Sequence, residues 1–207
     1  MFFDFHHHHP THVNGIYNLN LGESPANGFF SAGIHPQEIS KVTESDWIWL
    51  EKMSVLPNCI SIGECGLDGM IAVSEEQQEA VFSRQIHLAT SVNKPMTIHC
   101  VRRFSQILHF YKTTKIPFII HGFNKKSSVA LPLLEKGIYL SFGEAVLHHV
   151  SLQKIVADTP INQLFLETDN SSFEIDKLYE KVAELKKISV ENLSDAIQGN
   201  FTKLRNL

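Results

Sequence analysis

The sequence predicts an α/β fold, a (β/α)8 barrel of the TIM type that is trimmed near its start. Three observations predict it. Eight short apolar runs recur along the chain, helical patterns separate the later runs, and polar residues gather where the runs end. Continuous apolar runs suit strands buried on both faces of a parallel sheet. Strands alternating with helices mean βαβ units.

The runs are Phe2 to His6, Ile16 to Asn20, Phe29 to His35, Cys59 to Glu64, Pro95 to Cys100, Pro117 to His121, Gly137 to Phe142 and Leu164 to Asp169. Helices are expected over Gln37 to Met53, Ser74 to Val92, Phe104 to Tyr111, Ser127 to Glu135, Leu147 to Ala157 and Asp176 to Lys187. Ser74 with Gln77 three residues on forms a capping-box pattern, and Ser189 is placed to cap a last helix through Phe201. Between the first and second runs lie His7 to Gly15, and between the second and third Leu21 to Gly28. Neither stretch comfortably holds a crossover helix, since a βαβ crossover needs at least about 10–12 residues. The expected barrel therefore lacks full helices after its first two strands. This accounts for a chain of 207 residues, where about 250 is typical of the fold.

Composition narrows the function. The chain reads as one domain over residues 1–207, with 43% hydrophobic and 19% charged residues. No apolar run approaches the roughly 20 residues that span a bilayer. The start, Met1-Phe2-Phe3-Asp4, has no basic region of a signal peptide. A cytoplasmic protein is expected, with Cys59, Cys65 and Cys100 as reduced, inert thiols, since they show no paired spacing. The net charge of −4 lacks the basic footprint of a sequence-independent DNA binder. An enzyme that grips a few phosphates through metal ions does not need one.

The polar run ends carry the chemistry. Active sites of these barrels lie at the C-terminal ends of the strands. His6 and His8 are two apart on a strand and face one side, so both imidazoles can meet one cation. His7 and His9 face the other way. Four histidines embedded after an apolar strand are unlike a purification tag. Glu64, flanked by Gly63 and Gly66, can approach metal closely, and a carboxylate can bridge two cations about 3.5–4 Å apart. His99 and His121 each end a proline-led apolar strand in the same register and read as paired ligands. Asp169 ends the last run as ligand and as base toward an attacking water. Glu167, on the same side and deeper, is placed to hydrogen-bond a ligand histidine. His35, Arg102 and Lys125 are candidate phosphate contacts.

Several of these pieces occur together as Asp4-x-His6-x-His8, Gly33-Ile34-His35-Pro36, Gly63-Glu64-Cys65-Gly66-Leu67-Asp68, Ile98-His99, His121-x-Phe123, Leu140-Ser141-Phe142-Gly143, Leu166-Glu167-Thr168-Asp169 and Asn200. The set resembles the TatD-type metal-dependent deoxyribonucleases of the amidohydrolase-like superfamily, from residue 4 to residue 200. The resemblance implies a two-metal hydrolase of phosphodiester bonds, with DNA as substrate. It implies that His6, His8, Glu64 and Asp169 hold one ion, and Glu64, His99 and His121 the other. Imidazole suits zinc, while carboxylates and phosphate chemistry suit magnesium or manganese. The chain departs from the family pattern at Val101, where the family has arginine, at Asn124-Lys125-Lys126 and at Asn170-Ser171. These departures sit on the substrate side. Two rivals stay open: a hydrolase of a small phosphoester or cyclic amide on the same residues, and an inactive paralogue that binds a partner. Intact Glu64 and Asp169 oppose the second.

Overall fold

The computed structural model describes residues 2–12, 14–25 and 27–207. Its strands are β1 (Asp4–His7), β2 (Gly15–Asn18), β3 (Phe29–Ala32), β4 (Cys59–Asp68), β5 (Met96–Val101), β6 (Phe118–Ile120), β7 (Tyr139–Phe142) and β8 (Leu164–Leu166). All pair in parallel, in sequence order. Beyond β8 the chain turns back onto β1. The Asp169 N–H donates to the His6 carbonyl at 2.9 Å, and the His8 N–H donates to the Asp169 carbonyl at 3.1 Å. The sheet thus curls into a nearly closed barrel. Asp4 latches the same seam, because its carboxylate accepts the Thr168 N–H at 3.0 Å and the Thr168 hydroxyl at 2.6 Å. Burial pushes the Asp4 carboxyl up to about 6, against the pull of those hydrogen bonds.

The helices are α1 (Glu44–Ser54), α2 (Glu75–Ser91), α3 (Phe104–Tyr111), α4 (Ser127–Glu135), α5 (Ala145–His148), α6 (Val150–Asp158), α7 (Ile175–Lys186) and α8 (Val190–Arg205). The two serine caps form as expected. Ser74 Oγ accepts the Gln77 N–H at 3.2 Å, and Ser189 Oγ accepts the Asn192 N–H at 3.1 Å. Two expected helices are each split. The stretch from Gln37 to Met53 is a 3-10 turn, Pro36–Lys41, followed by α1. The restart is chemical: Thr43 is extended, and its N–H donates to Asp46 Oδ2 at 2.8 Å in a reciprocal cap. The stretch from Leu147 to Ala157 becomes α5 and α6, broken at His149, whose φ of −111° and ψ of 101° are extended.

Among the described residues, neither of the first two connections contains a helix; Val13 and Ala26 lie outside them. What replaces the helices is a buckle. Glu23, between β2 and β3, accepts the Tyr17 hydroxyl at 3.1 Å and the Asn20 N–H and Nδ2 at 2.9 Å. The Trp49 indole N–H of α1 donates to the Glu23 carbonyl at 2.8 Å. Trp47 and Leu50 of α1 then pack with Tyr17, Leu19, Phe30 and Ile34 into a separate apolar cluster. One helix and one tied loop cover what two helices cover elsewhere around the barrel. After β1, His7 turns away from the barrel mouth, its ring 4.7 Å from that of His12 and 5.9 Å from that of Tyr17. Burial lowers the His7 pKa to about 3, so its imidazole is neutral.

All three cysteines are free and buried. Burial raises the Cys59 thiol to about 11 and Cys100 to about 12, and raises Cys65 further, so none ionises near neutrality. No described helix is long and apolar enough to cross a membrane.

Candidate metal centre

At the C-terminal ends of the strands, five imidazoles converge on one carboxylate. Glu64 Oε1 lies 2.8 Å from His121 Nε2, 3.0 Å from His99 Nδ1 and 3.3 Å from His35 Nε2. Glu64 Oε2 lies 3.5 Å from His6 Nε2 and 3.7 Å from His8 Nε2. Asp169 Oδ1 closes the second group, 3.8 Å from His6 Nε2 and 3.4 Å from His8 Nε2. The two oxygens of one carboxylate therefore face two different sets of nitrogens.

The backbone around Glu64 is built for this reach. Gly33 of the β3 end and Gly63 of β4 pass so closely that a Cβ on Gly33 would lie 2.6 Å from Gly63 Cα. Gly63 has φ +151°, and a Cβ there would lie 2.3 Å from the Thr97 carbonyl oxygen. Only glycine fits either position. Asn18 of β2 completes the support. Its Oδ1 accepts the Glu64 N–H at 2.8 Å and the Ser31 hydroxyl at 3.0 Å.

The electrostatics mark the same spot. Burial alone would raise the Glu64 carboxyl; the charge and hydrogen bond of His121, with His35 and His6 nearby, instead hold it well below the usual range. Burial alone would lower His121, but Glu64 on one side and Glu167 on the other hold it well above the ordinary imidazole range. Burial likewise opposes the charge on Glu167, and the hydrogen bond and charge of His121 keep its carboxyl low. Positive charge is thus favoured between Glu64 and Glu167. Both ring nitrogens of His6 are buried without a hydrogen-bond partner in the protein. Orphaned, converging imidazole nitrogens are an unexplained cost unless something else binds them. Three groups of ligand atoms lie within 4.8 Å of one another: His6, Glu64 and His121; His6, His8 and Asp169; His35, Glu64 and His99. This donor set, imidazole mixed with carboxylate, fits divalent cations.

All six residues expected to hold metal, His6, His8, Glu64, His99, His121 and Asp169, meet here. His35 meets them too. Arg102 and Lys125 are placed elsewhere. Arg102 is exposed just past β5, in the left-handed region at φ +58°. Lys125 lines a separate cavity of about 1100 Å3 on the outer face between α4 and α6. The cavity at the centre is about 550 Å3 and is walled by His8, Asn18–Leu21, Gly33, His35, Gln37, Glu38, Glu64, His99, Asp169 and Asn170. The larger cavity contains none of the converging residues, so size does not identify the site.

Two residues here are not evident from motif spacing. Asn18 is one. Asp68 is the other: its Oδ2 lies 3.1 Å from His99 Nε2, while His99 Nδ1 faces Glu64. A proton on Nε2 toward Asp68 leaves the Nδ1 lone pair directed at the centre. Asp68 is itself fixed. Its Oδ1 accepts the Met70 N–H at 2.8 Å, and its backbone is clasped by Gln78 of α2 at 2.7 and 3.0 Å. Glu167 stands in the corresponding place behind His121, with Oε1 3.5 Å from Nδ1 and accepting the Gly122 N–H at 2.5 Å.

Known proteins resemble this chain in sequence and in fold. An uncharacterized metal-dependent hydrolase of Bacillus subtilis, YabD, is 28% identical over 85% of this chain and 76% of its own length. The human deoxyribonuclease TATDN3 is 28% identical over 87% of this chain and 77% of its own. A 3'-5' ssDNA/RNA exonuclease TatD from Enterobacter lignolyticus is 29% identical over 73% and 61%. The crystal structure of a TatD homologue from Escherichia coli K12 superposes with a TM-score of 0.82 over 100% of this chain and 98% of that one, at 18% identity. A TatD family hydrolase from Entamoeba histolytica gives 0.81 over 98% and 97%, at 14% identity. The sequence pattern of the TatD related DNases matches residues 9–206, and on that match the chain belongs to the TatD-related DNase family.

Proposed function

We propose that this protein is a divalent-metal-dependent hydrolase of phosphodiester bonds in nucleic acid, DNA among its substrates. The single observation that carries the reading is the division of Glu64, whose Oε1 and Oε2 face separate sets of imidazoles. In this reading His6, His8 and Asp169 with Glu64 hold one ion, and His99 and His121 with Glu64 hold the second. Zinc, magnesium and manganese are the candidates. Bound there, such ions would neutralise a phosphate and lower the pKa of water.

The chain's own residues do the rest. Glu64, held by Asn18, fixes the spacing of the two halves. Asp169, whose side chain is 42% exposed, is the carboxylate open to the cavity and accepts the proton of the attacking water. His35, on the cavity wall, is placed to donate to a phosphate oxygen. Asp68 and Glu167 orient His99 and His121 from behind. The names of the human and enterobacterial relatives support DNA and RNA as the polymer class. A single domain over residues 1–207 fits the one eight-stranded sheet, and a cytoplasmic setting fits three buried, unpaired thiols.

The test is a metal analysis of purified protein beside an assay on single-stranded DNA, duplex DNA, RNA and a model diester, with manganese, magnesium or zinc added. Metal-dependent cleavage that Asp169→Asn abolishes is expected. Hydrolysis of the small diester alone would favour a small phosphoester as substrate. No metal-dependent cleavage of any substrate would end the enzyme reading and leave a binding paralogue.

A further inference from the structure

The cavity at the metal centre has two unlike sides. One is the ligand cluster. The other is a flank formed by Asn18–Leu21 and by Gly33–Glu38, the segments that follow β2 and β3. We propose that this flank binds the uncharged nucleoside, base and sugar together, that is attached to the phosphate under attack. The proposal rests on the nuclease reading above and adds to it which part of the substrate lies where.

The flank contains no lysine or arginine; apart from His35, which faces Glu64 at the edge of the ligand cluster, its only ionisable residue is Glu38, half-buried. A second phosphate would be repelled there. What it offers is carboxamide. Asn18 Oδ1 is used by the Glu64 N–H and the Ser31 hydroxyl, which leaves its Nδ2 donors. Asn20 is the reverse, because its Nδ2 is given to Glu23 and its Oδ1 remains as acceptor. Gln37 is exposed and brings one of each. Leu21, half-buried, adds apolar contact. Paired donors and acceptors beside an apolar surface match a base edge and face, not an anion. Cations lie past other strands: Arg102 after β5, Lys125 and Lys126 after β6. The remaining phosphates of a strand are therefore expected to leave toward β5 and β6.

Size limits the flank to one unit. The whole cavity is about 550 Å3, within the range of about 300–1,000 Å3 for sites that enclose one small molecule. The Glu23 buckle ties the segment beyond Asn18–Leu21 to Tyr17 and Trp49, so this side of the flank is held in place. The short second connection is then a specificity wall as well as a missing helix.

The experiment uses the full chain with manganese and short single-stranded oligonucleotides. Each terminus in turn, 3' and 5', is presented as a normal nucleotide, as an abasic sugar and with an extra terminal phosphate. At one terminus the abasic end is expected to lower kcat/KM by about ten-fold, the order of a paired carboxamide–base contact. The extra phosphate should lower it at the same terminus. Glu38→Lys should raise the ratio of the phosphate-ended to the plain rate. Equal rates for all three ends at both termini would overturn the proposal while leaving the nuclease reading intact. So would cleavage of a circular oligonucleotide as fast as a linear one. Cleavage of no oligonucleotide would overturn the nuclease reading and the proposal with it.

Discussion

Removing the Asp68 carboxylate tests whether the centre is oriented from behind. In Asp68→Ala, His99 Nε2 loses its partner at 3.1 Å, and nothing then fixes which ring nitrogen carries the proton or where the ring points. A hydrogen bond to a charged group contributes about 1.5–3 kcal/mol. At 1.4 kcal/mol per decade that is about 10–150-fold in the affinity of the ion held by His99. Loss of an outer partner of a metal ligand costs about 10–100-fold by experience with other sites, so the two routes agree. Asp68→Asn keeps an acceptor oxygen and should lose only a few-fold. The assay is calorimetric titration of metal-stripped protein with manganese or zinc, with circular dichroism to verify the fold. The expected result is two ions in the wild type and one selectively weakened in Asp68→Ala. Unchanged affinity for both ions in a folded Asp68→Ala protein would refute the reasoning. So would an Asp68→Asn variant as impaired as the alanine, which would assign the effect to charge rather than orientation.

Asp169→Asn should cut phosphodiester hydrolysis by at least the general-base contribution, about 10²–10⁴-fold, with the melting curve of the metal-free protein retained. His99→Ala should weaken the second ion, so raising the metal concentration should recover part of its rate, whereas Asp169→Asn should stay inactive at any concentration. Gly33→Ala should give little folded protein, because the new Cβ would lie 2.6 Å from Gly63 Cα and backbone must move; soluble yield and circular dichroism report it. Chelation should lower Tm. An ion at 100 times its Kd stabilises by about 2.7 kcal/mol, which at about 2–4 °C per kcal/mol for a chain of this size means about 5–10 °C by calorimetry.

The barrel and the metal cluster were legible because both rest on local, repeated signals. Apolar runs mark the strands, and a shared register at their ends brings His6, Glu64, His99, His121 and Asp169 to one place. The short gaps His7 to Gly15 and Leu21 to Gly28 predict the missing helices. What escaped depends on partners far apart in the chain. Asn18 acts on a backbone N–H 46 residues away, and no periodicity announces that. Asp68 is quoted within its motif, yet its use follows only from the twist of β4 beside β5, which sets it against His99. Charge and closeness in sequence to His99 and His121 make Arg102 and Lys125 candidates. Past a strand end the loop, not the strand, decides direction, and these loops carry them off the cavity wall. The split at Thr43 was written in Thr43-x-x-Asp46, a cap inside a stretch whose apolar spacing continues across it.

The seam between β1 and β8 has a consequence for how the molecule assembles. His99, His121 and Glu64 come from consecutive strands, β4 to β6, and can meet as soon as that part of the sheet has formed. His6 and His8 leave the ribosome first, but Asp169 follows more than 160 residues later. Contacts of such separation form late, because loop closure must precede them. A cation held by His6, His8 and Asp169 would therefore act as a clasp on the closed ring, adding its binding free energy to the Asp4–Thr168 latch. The two halves of the centre should then differ in when they form. One half would belong to the open sheet, and the other would exist only once the ends of the chain have joined.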